Sequence, residues 1–135
     1  MSRPHSPTNP MYGVIGVVRR EERFLLIRRA RVERAPLMWC FPGGGIEPGE
    51  SESDALVREM MEELHVAVTP GERLMTQVKH DGALVLHWWS AELVTGEPRA
   101  NPAEVAELAW LTPDEARRLP DAIPGTSAIF DHLGI

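Results

Sequence analysis

Cysteine is almost missing from this chain: Cys40 is the only one among 135 residues. An internal disulfide is therefore excluded, and a reducing cytoplasm is the expected compartment. No apolar run approaches the roughly 18 residues of a membrane-crossing helix, and no secretory apolar region follows Met1, so no membrane role is expected. Positive charge is also in short supply, with 14 Lys and Arg against 20 Asp and Glu and a net charge of −6. That balance argues against a broad nucleic-acid footprint, and no nucleic-acid partner is expected. It does not exclude a small anionic substrate, because a bound divalent cation reverses the local field. Internal repeats and low-complexity segments are absent from the sequence. His80 and His87 have no Cys or His partner at zinc-ligand spacing, so no zinc site follows.

What is present has the balance of an ordinary globular domain, 43% hydrophobic and 25% charged, long enough for one core. Residues 1–10 are rich in Pro, Ser and Asn and read as a flexible arm, leaving residues 11–135 as one domain. Tyr12–Val18 and Phe24–Ile27 are β-branched and apolar and form an expected hairpin across the charged turn Arg19-Arg20-Glu21-Glu22. Leu37–Phe41 reads as a short strand entering a loop, Gly43-Gly44-Gly45, whose glycines allow a ligand to approach closely. Ser51 is the N-cap of a helix to about Leu64, with Leu56, Met60 and Leu64 as its apolar seam. His65 then falls at the C′ position, where left-handed backbone is common. Met75–Lys79 and Ala83–Leu93 read as strands around the turn His80-Asp81-Gly82, and Leu108–Leu111 as another. Thr112-Pro113-Asp114-Glu115 starts a helix that ends before Pro120, and Ser127–Leu133 is a closing helix.

Chemistry concentrates in one stretch. Glu59, Glu62 and Glu63 sit at i, i+3 and i+4 of the first helix, so their carboxylates share a face. Like charges so arranged repel, and a cation is needed to offset them. Hard divalent ions take oxygen ligands and work with carboxylates plus substrate phosphates. The pattern points to metal-assisted phosphate chemistry.

The same stretch, Gly44-x5-Glu50-x7-Arg58-Glu59-Met60-x-Glu62-Glu63-x-His65-Val66, resembles the signature box of the Nudix hydrolases. His65 stands where that box has glycine; the other defined positions match. The approach Trp39-x-Phe41-Pro42-Gly43-Gly44 is also similar. The resemblance spans about residues 12–133 and implies an α+β fold: an α/β/α sandwich with a mixed sheet and a central loop-helix-loop. It implies a MutT-like, metal-dependent pyrophosphohydrolase acting on a nucleoside triphosphate or other nucleoside diphosphate-X. The alternatives are an ADP-ribose or nucleotide-sugar pyrophosphatase and a catalytically silent ligand-binding module. By the same resemblance Glu59, Glu62 and Glu63, with the Gly44 carbonyl, bind Mg²⁺ or Mn²⁺. Glu59, Glu62, Arg58 and Glu104 form the implied catalytic set, in which Arg58 orients glutamates and Glu104 is a ligand or general base. Glu107 is the other loop glutamate considered for that last role. Arg29 matches a phosphate-contacting arginine, while Gly43, Glu50 and His65 are structural within the motif. Ile123 stands where MutT-like relatives carry a base-reading asparagine, with Asp121 the nearest polar substitute, so a base-tolerant apolar pocket is expected. Of Trp88 and Trp89, one is expected in the core and the other either to stack on a base or to be covered by a loop. Positions 80–83 lack the proline or tyrosine of ADP-ribose and dinucleoside-polyphosphate relatives. A nucleotide substrate and a monomer or homodimer complete the expectation.

Overall fold

A strand buried on both faces organises the molecule. A computed structural model describes residues 9–31 and 33–135, so most of the expected arm lies outside the described residues. Strand β1 (Met11–Arg20) turns directly into β2 (Arg23–Arg29), pairing antiparallel at Arg19–Phe24 and Arg20–Arg23. The two then part. On one side β1 runs parallel to β6 (Leu84–Thr95), which pairs antiparallel with β5 (Ala67–Lys79). On the other, β2 pairs antiparallel with β3 (Trp39–Cys40) and with β7 (Val105–Leu111). The sheet is mixed, and its strand path reads β3-β2-β1-β6-β5.

Alternation along β1 feeds two apolar cores. Val14 and Val18 pack with Leu56, Met60 and Leu64 of helix α1 (Glu52–Leu64). Each of those three helix residues is fully buried, worth about 1.5–3 kcal/mol apiece relative to exposure. Val17 faces the other way, with Phe24, Phe41, Trp88 and the short helices α2 (Pro113–Arg117) and α3 (Ala128–Leu133). Helices on both faces of the sheet give the expected α/β/α sandwich. The Thr112 side chain and Glu115 form the anticipated capping box.

Two local expectations are corrected. Gly43–Gly45 is not a free loop but strand β4, paired antiparallel with Gly13–Ile15 of β1. Two of its glycines, Gly43 and Gly44, answer to close approach: a Cβ on Gly43 would lie 2.1 Å from the Val14 carbonyl oxygen. Strand β5 begins at Ala67, not near Met75. Pro70-Gly71 reads as a turn in sequence, but bulges between Pro70 and Arg73 absorb it on an edge strand.

Candidate active site

Helix α1 carries the acidic face and is fixed at both ends. Ser51 caps its start by accepting from the Asp54 amide, and His65 closes it in left-handed backbone, φ 55° and ψ 35°, donating to the Met61 carbonyl. The next three carbonyls of the last turn are satisfied by a distant loop. Asn101 Nδ2 donates to Glu62 O (3.0 Å), the Asn101 amide to Glu63 O (2.8 Å) and the Arg99 amide to Leu64 O (2.9 Å). A helix C-terminus must find such donors, and in meeting that need it draws residues 99–104 onto the acidic face. Glu104 arrives with the loop, and Asn101 Nδ2 also reaches Glu104 Oε2 at 3.3 Å.

Carboxylate oxygens of Glu59, Glu62 and Glu104 thereby come within 4.8 Å of one another. Glu63 is outside this group. Its buried carboxylate accepts from the Gly43 amide at 2.9 Å. The face is therefore not one solvated stripe, since Glu59 and Glu63 are buried and Glu62 is exposed. Gly44 lies against Glu59 so closely that a Cβ there would sit 2.3 Å from the carboxyl carbon.

Arg58 ties the cluster together. Its Nε and Nη2 grip the two Glu50 oxygens at 2.8 and 2.9 Å, Nη2 also reaches the Gly45 carbonyl at 2.8 Å, and Nη1 donates to Glu59 at 2.8 Å. A longer contact of 3.3 Å reaches Glu62. The fork geometry of a guanidinium fixes carboxylate direction in a way that an ammonium does not. The Arg58 guanidinium holds the Glu50 carboxyl down to about 2.

The inner carboxyls shift the opposite way. Burial raises Glu59, with Glu62 and Glu104 adding to the rise and Arg58 opposing it. Glu63 is pushed up to about 8, by burial first and then by the neighbouring Glu59. Glu104 is raised by burial and by Glu62 and Glu33. Several acidic groups that disfavour their own charge, with an all-oxygen donor set at short range, fit a hard divalent cation.

Beyond β4 lies a cavity of about 390 Å³, lined by Gly43–Gly45, Arg29, Arg34, Trp88 and Ile123 among others. Arg29 stands between the two regions, close enough to influence Glu63 and Glu104. Its guanidinium also donates to the Arg34 carbonyl and to Glu33.

A model of the NUDIX domain matches residues 9–133, nearly the whole chain. The chain belongs to the Nudix family. It is 34% identical to the CTP pyrophosphohydrolase of Escherichia coli K12 over 109 residues, 79% of each chain. It is equally identical over 109 residues to the 8-oxo-dGTP diphosphatase of that organism, covering 75% of this chain and 83% of the other. Among solved structures, the MutT NUDIX hydrolase from Burkholderia pseudomallei superposes with a TM-score of 0.80 at 28% identity, over 93% of this chain and 98% of that one. These likenesses make it a MutT-like Nudix hydrolase.

Several expected site residues meet in this Nudix hydrolase and others do not. Glu59, Glu62, Glu104, Arg58, Glu50, Gly43 and Gly44 surround one centre. Glu107 is elsewhere, paired with Arg28 at 3.1 Å on the outer side of β7. Asp121 is exposed, lies outside the cavity lining and engages β3 through its carbonyl, which accepts from the Trp39 amide. Trp88 is the core tryptophan and lines the cavity. Trp89 faces α1 and donates to Glu52 at 2.8 Å, which removes it as a stacking surface for a base. Asn101 escaped sequence reading. Its signal was the Asn-Pro pair, which favours a turn, and its Oδ1 does accept from the Ala103 amide.

Proposed function

We propose that this hydrolase cleaves a phosphoanhydride bond in a nucleoside triphosphate, or in a related nucleoside diphosphate-X, with Mg²⁺ and with Mn²⁺ as a substitute. The observation that carries the reading is the approach of Glu59, Glu62 and Glu104 oxygens to within 4.8 Å, beside a cavity bordered by Arg29. Two relatives named for nucleoside triphosphates support that substrate class.

Glu59, Glu62 and Glu104 hold the cation, with the Gly44 carbonyl as a further ligand. Glu63, whose carboxylate accepts from the Gly43 amide, would be a further ligand. A divalent cation held there would neutralise the diphosphate and make water a better nucleophile near neutral pH. Arg58 aims Glu59 and Glu62 from a fixed anchor on Glu50. Arg29 meets a substrate phosphate, as a planar fork suited to it. Glu104 would accept a proton from the attacking water. Triphosphate cleavage then yields nucleoside monophosphate and pyrophosphate. The polypeptide works in the cytoplasm as a monomer or homodimer, with residues 11–135 as its one domain and residues 1–10 as an arm.

A panel of nucleoside triphosphates, nucleotide sugars and ADP-ribose, incubated with Mg²⁺ and read as phosphate or pyrophosphate release, tests the activity. Turnover that persists in chelator, or none across the panel from folded protein, overturns it. The metal assignment has its own readout, because a ligand that binds only the folded state raises its melting temperature. Mn²⁺ should raise Tm in the native protein and much less in Glu62→Gln.

A further inference from the structure

One wall of the cavity comes from strand β5, which sequence reading left out of the site. Gln77 and Lys79 line it, two residues apart and so on one face of the strand. Lys79 is the only lysine among the chain's 14 basic residues. Its Nζ donates to the Pro124 carbonyl at 2.8 Å, and Gln77 Nε2 donates to the Gly125 carbonyl at 3.1 Å. Gln77 Oε1 accepts from Trp88 Nε1 at 2.9 Å. These partners determine which end of the amide faces which way. An indole N–H cannot accept, and a carbonyl cannot donate.

The unused valences of that wall are lopsided. An ammonium has three N–H donors and an amide nitrogen two. One of each is used, which leaves two donors on Lys79 and one on Gln77. Against them stand one lone pair on Gln77 Oε1 and the oxygen of Thr126, whose proton goes to the Ile123 carbonyl at 2.6 Å. Among the described residues the cavity has Arg29, Arg34 and Lys79 as fixed cations and no acidic side chain in its lining. A ligand seated there meets donors in excess and must bring acceptors.

We propose that Lys79 and Gln77 select nucleobases bearing a ring carbonyl, namely cytosine, guanine and uracil or thymine, over adenine, which has none. This rests on reading the cavity as the nucleotide pocket. A ring carbonyl accepts from the Lys79 ammonium directly. Adenine's ring nitrogens have one lone pair each, so none can take a Lys79 and a Gln77 donor together as a carbonyl oxygen with two lone pairs can, and its amine can take neither. Donors left unpaired on closing a pocket are what make rejection strong. The amide that MutT-like relatives carry at the position of Ile123 is supplied instead from strand β5, and the pocket is not the base-tolerant apolar slot implied by Ile123.

Steady-state kcat/KM for ATP, CTP, GTP and UTP tests the proposal. Each of the three oxo-base substrates should exceed ATP by about tenfold or more. In Lys79→Met the gap should close to within about threefold, through KM and not kcat, and Lys79→Arg should restore most of it. A second measurement needs neither turnover nor metal. Isotope-labelled lysine gives one side-chain resonance, which CMP should shift at concentrations where AMP does not. Wild-type turnover that favours ATP or treats all four alike overturns the base selection and leaves the hydrolase reading standing. A lysine signal moved equally by CMP and AMP also overturns it. A CMP-selective shift in a protein that hydrolyses none of the four would support the pocket assignment and count against the hydrolase.

Discussion

The carboxylate centre and the β5 wall are built in opposite ways. Most of the acidic centre comes from one helix and the loop just before it: Glu50, Arg58, Glu59, Glu62 and Glu63 span 14 consecutive positions. Only Glu104 enters from outside, on a loop that docks by capping the helix. The wall instead joins β5, β6 and the segment before α3 through Gln77, Trp88 and residues 123–126. The first region concentrates negative charge that is uncomfortable without a cation. The second has hydrogen-bond donors and no acidic lining. Chemistry common to a family suits a compact local motif, while selectivity suits a wall that can vary strand by strand.

Removing charge from the centre should produce the largest effect. Glu62→Gln should lower kcat by more than about 100-fold, since a lost charged ligand forfeits several kcal/mol of charge stabilisation. Glu63→Gln should cost less than Glu62→Gln, because Glu63 is engaged by the Gly43 amide and stands outside the three-carboxylate group. Equal losses in kinetics at saturating Mg²⁺ would show that Glu63 is a full ligand.

Gly44→Ala comes next. The new methyl would meet the end of the Glu59 side chain, which can swing aside, so folding should survive while the carboxylate is misdirected. A displacement of that size in a catalytic group is worth up to about 100-fold in kcat. Unchanged turnover, with Tm also unchanged, would mean that the position of Glu59 is not critical.

The docked loop offers a finer test. Glu104→Gln should lower kcat by about tenfold or more with little change in KM, and Asn101→Ala should reproduce part of that loss by freeing Glu104. Glu107→Gln is the control, since its carboxylate pairs with Arg28 away from the centre. If the loss follows Glu107 instead, the loop glutamate has been misassigned.

The smallest expected effect is at the helix end. His65→Gly should stabilise the fold by up to about 1 kcal/mol, because His65 is exposed and left-handed, less the entropy that glycine adds to the unfolded chain. Thermal melts will show it, and a lower Tm would mean that the imidazole makes a contact worth more than the backbone strain.

Sequence alone determined what depends on neighbours along the chain. Helix α1, its Ser51 cap, the left-handed His65, the Arg58–Glu50 pair and the carboxylate face all follow from spacings of at most eight residues, where helical geometry leaves little choice. The capped start of α2 was legible for the same reason. Tertiary structure decided the rest. Gly43–Gly45 is a strand only because β1 runs alongside it, and the Pro70-Gly71 stretch stays in β5 only because β6 pairs with it on either side of the bulges. Glu104 was chosen over Glu107 by the unsatisfied carbonyls at the end of α1, which one loop meets with Asn101 and Arg99. Gln77 and Lys79 gave no signal at all, being ordinary polar residues on a strand. Their meaning lies in Trp88, Pro124 and Gly125, which are 11 to 48 positions from the residues they bond and become neighbours only when the sheet and the last segment close.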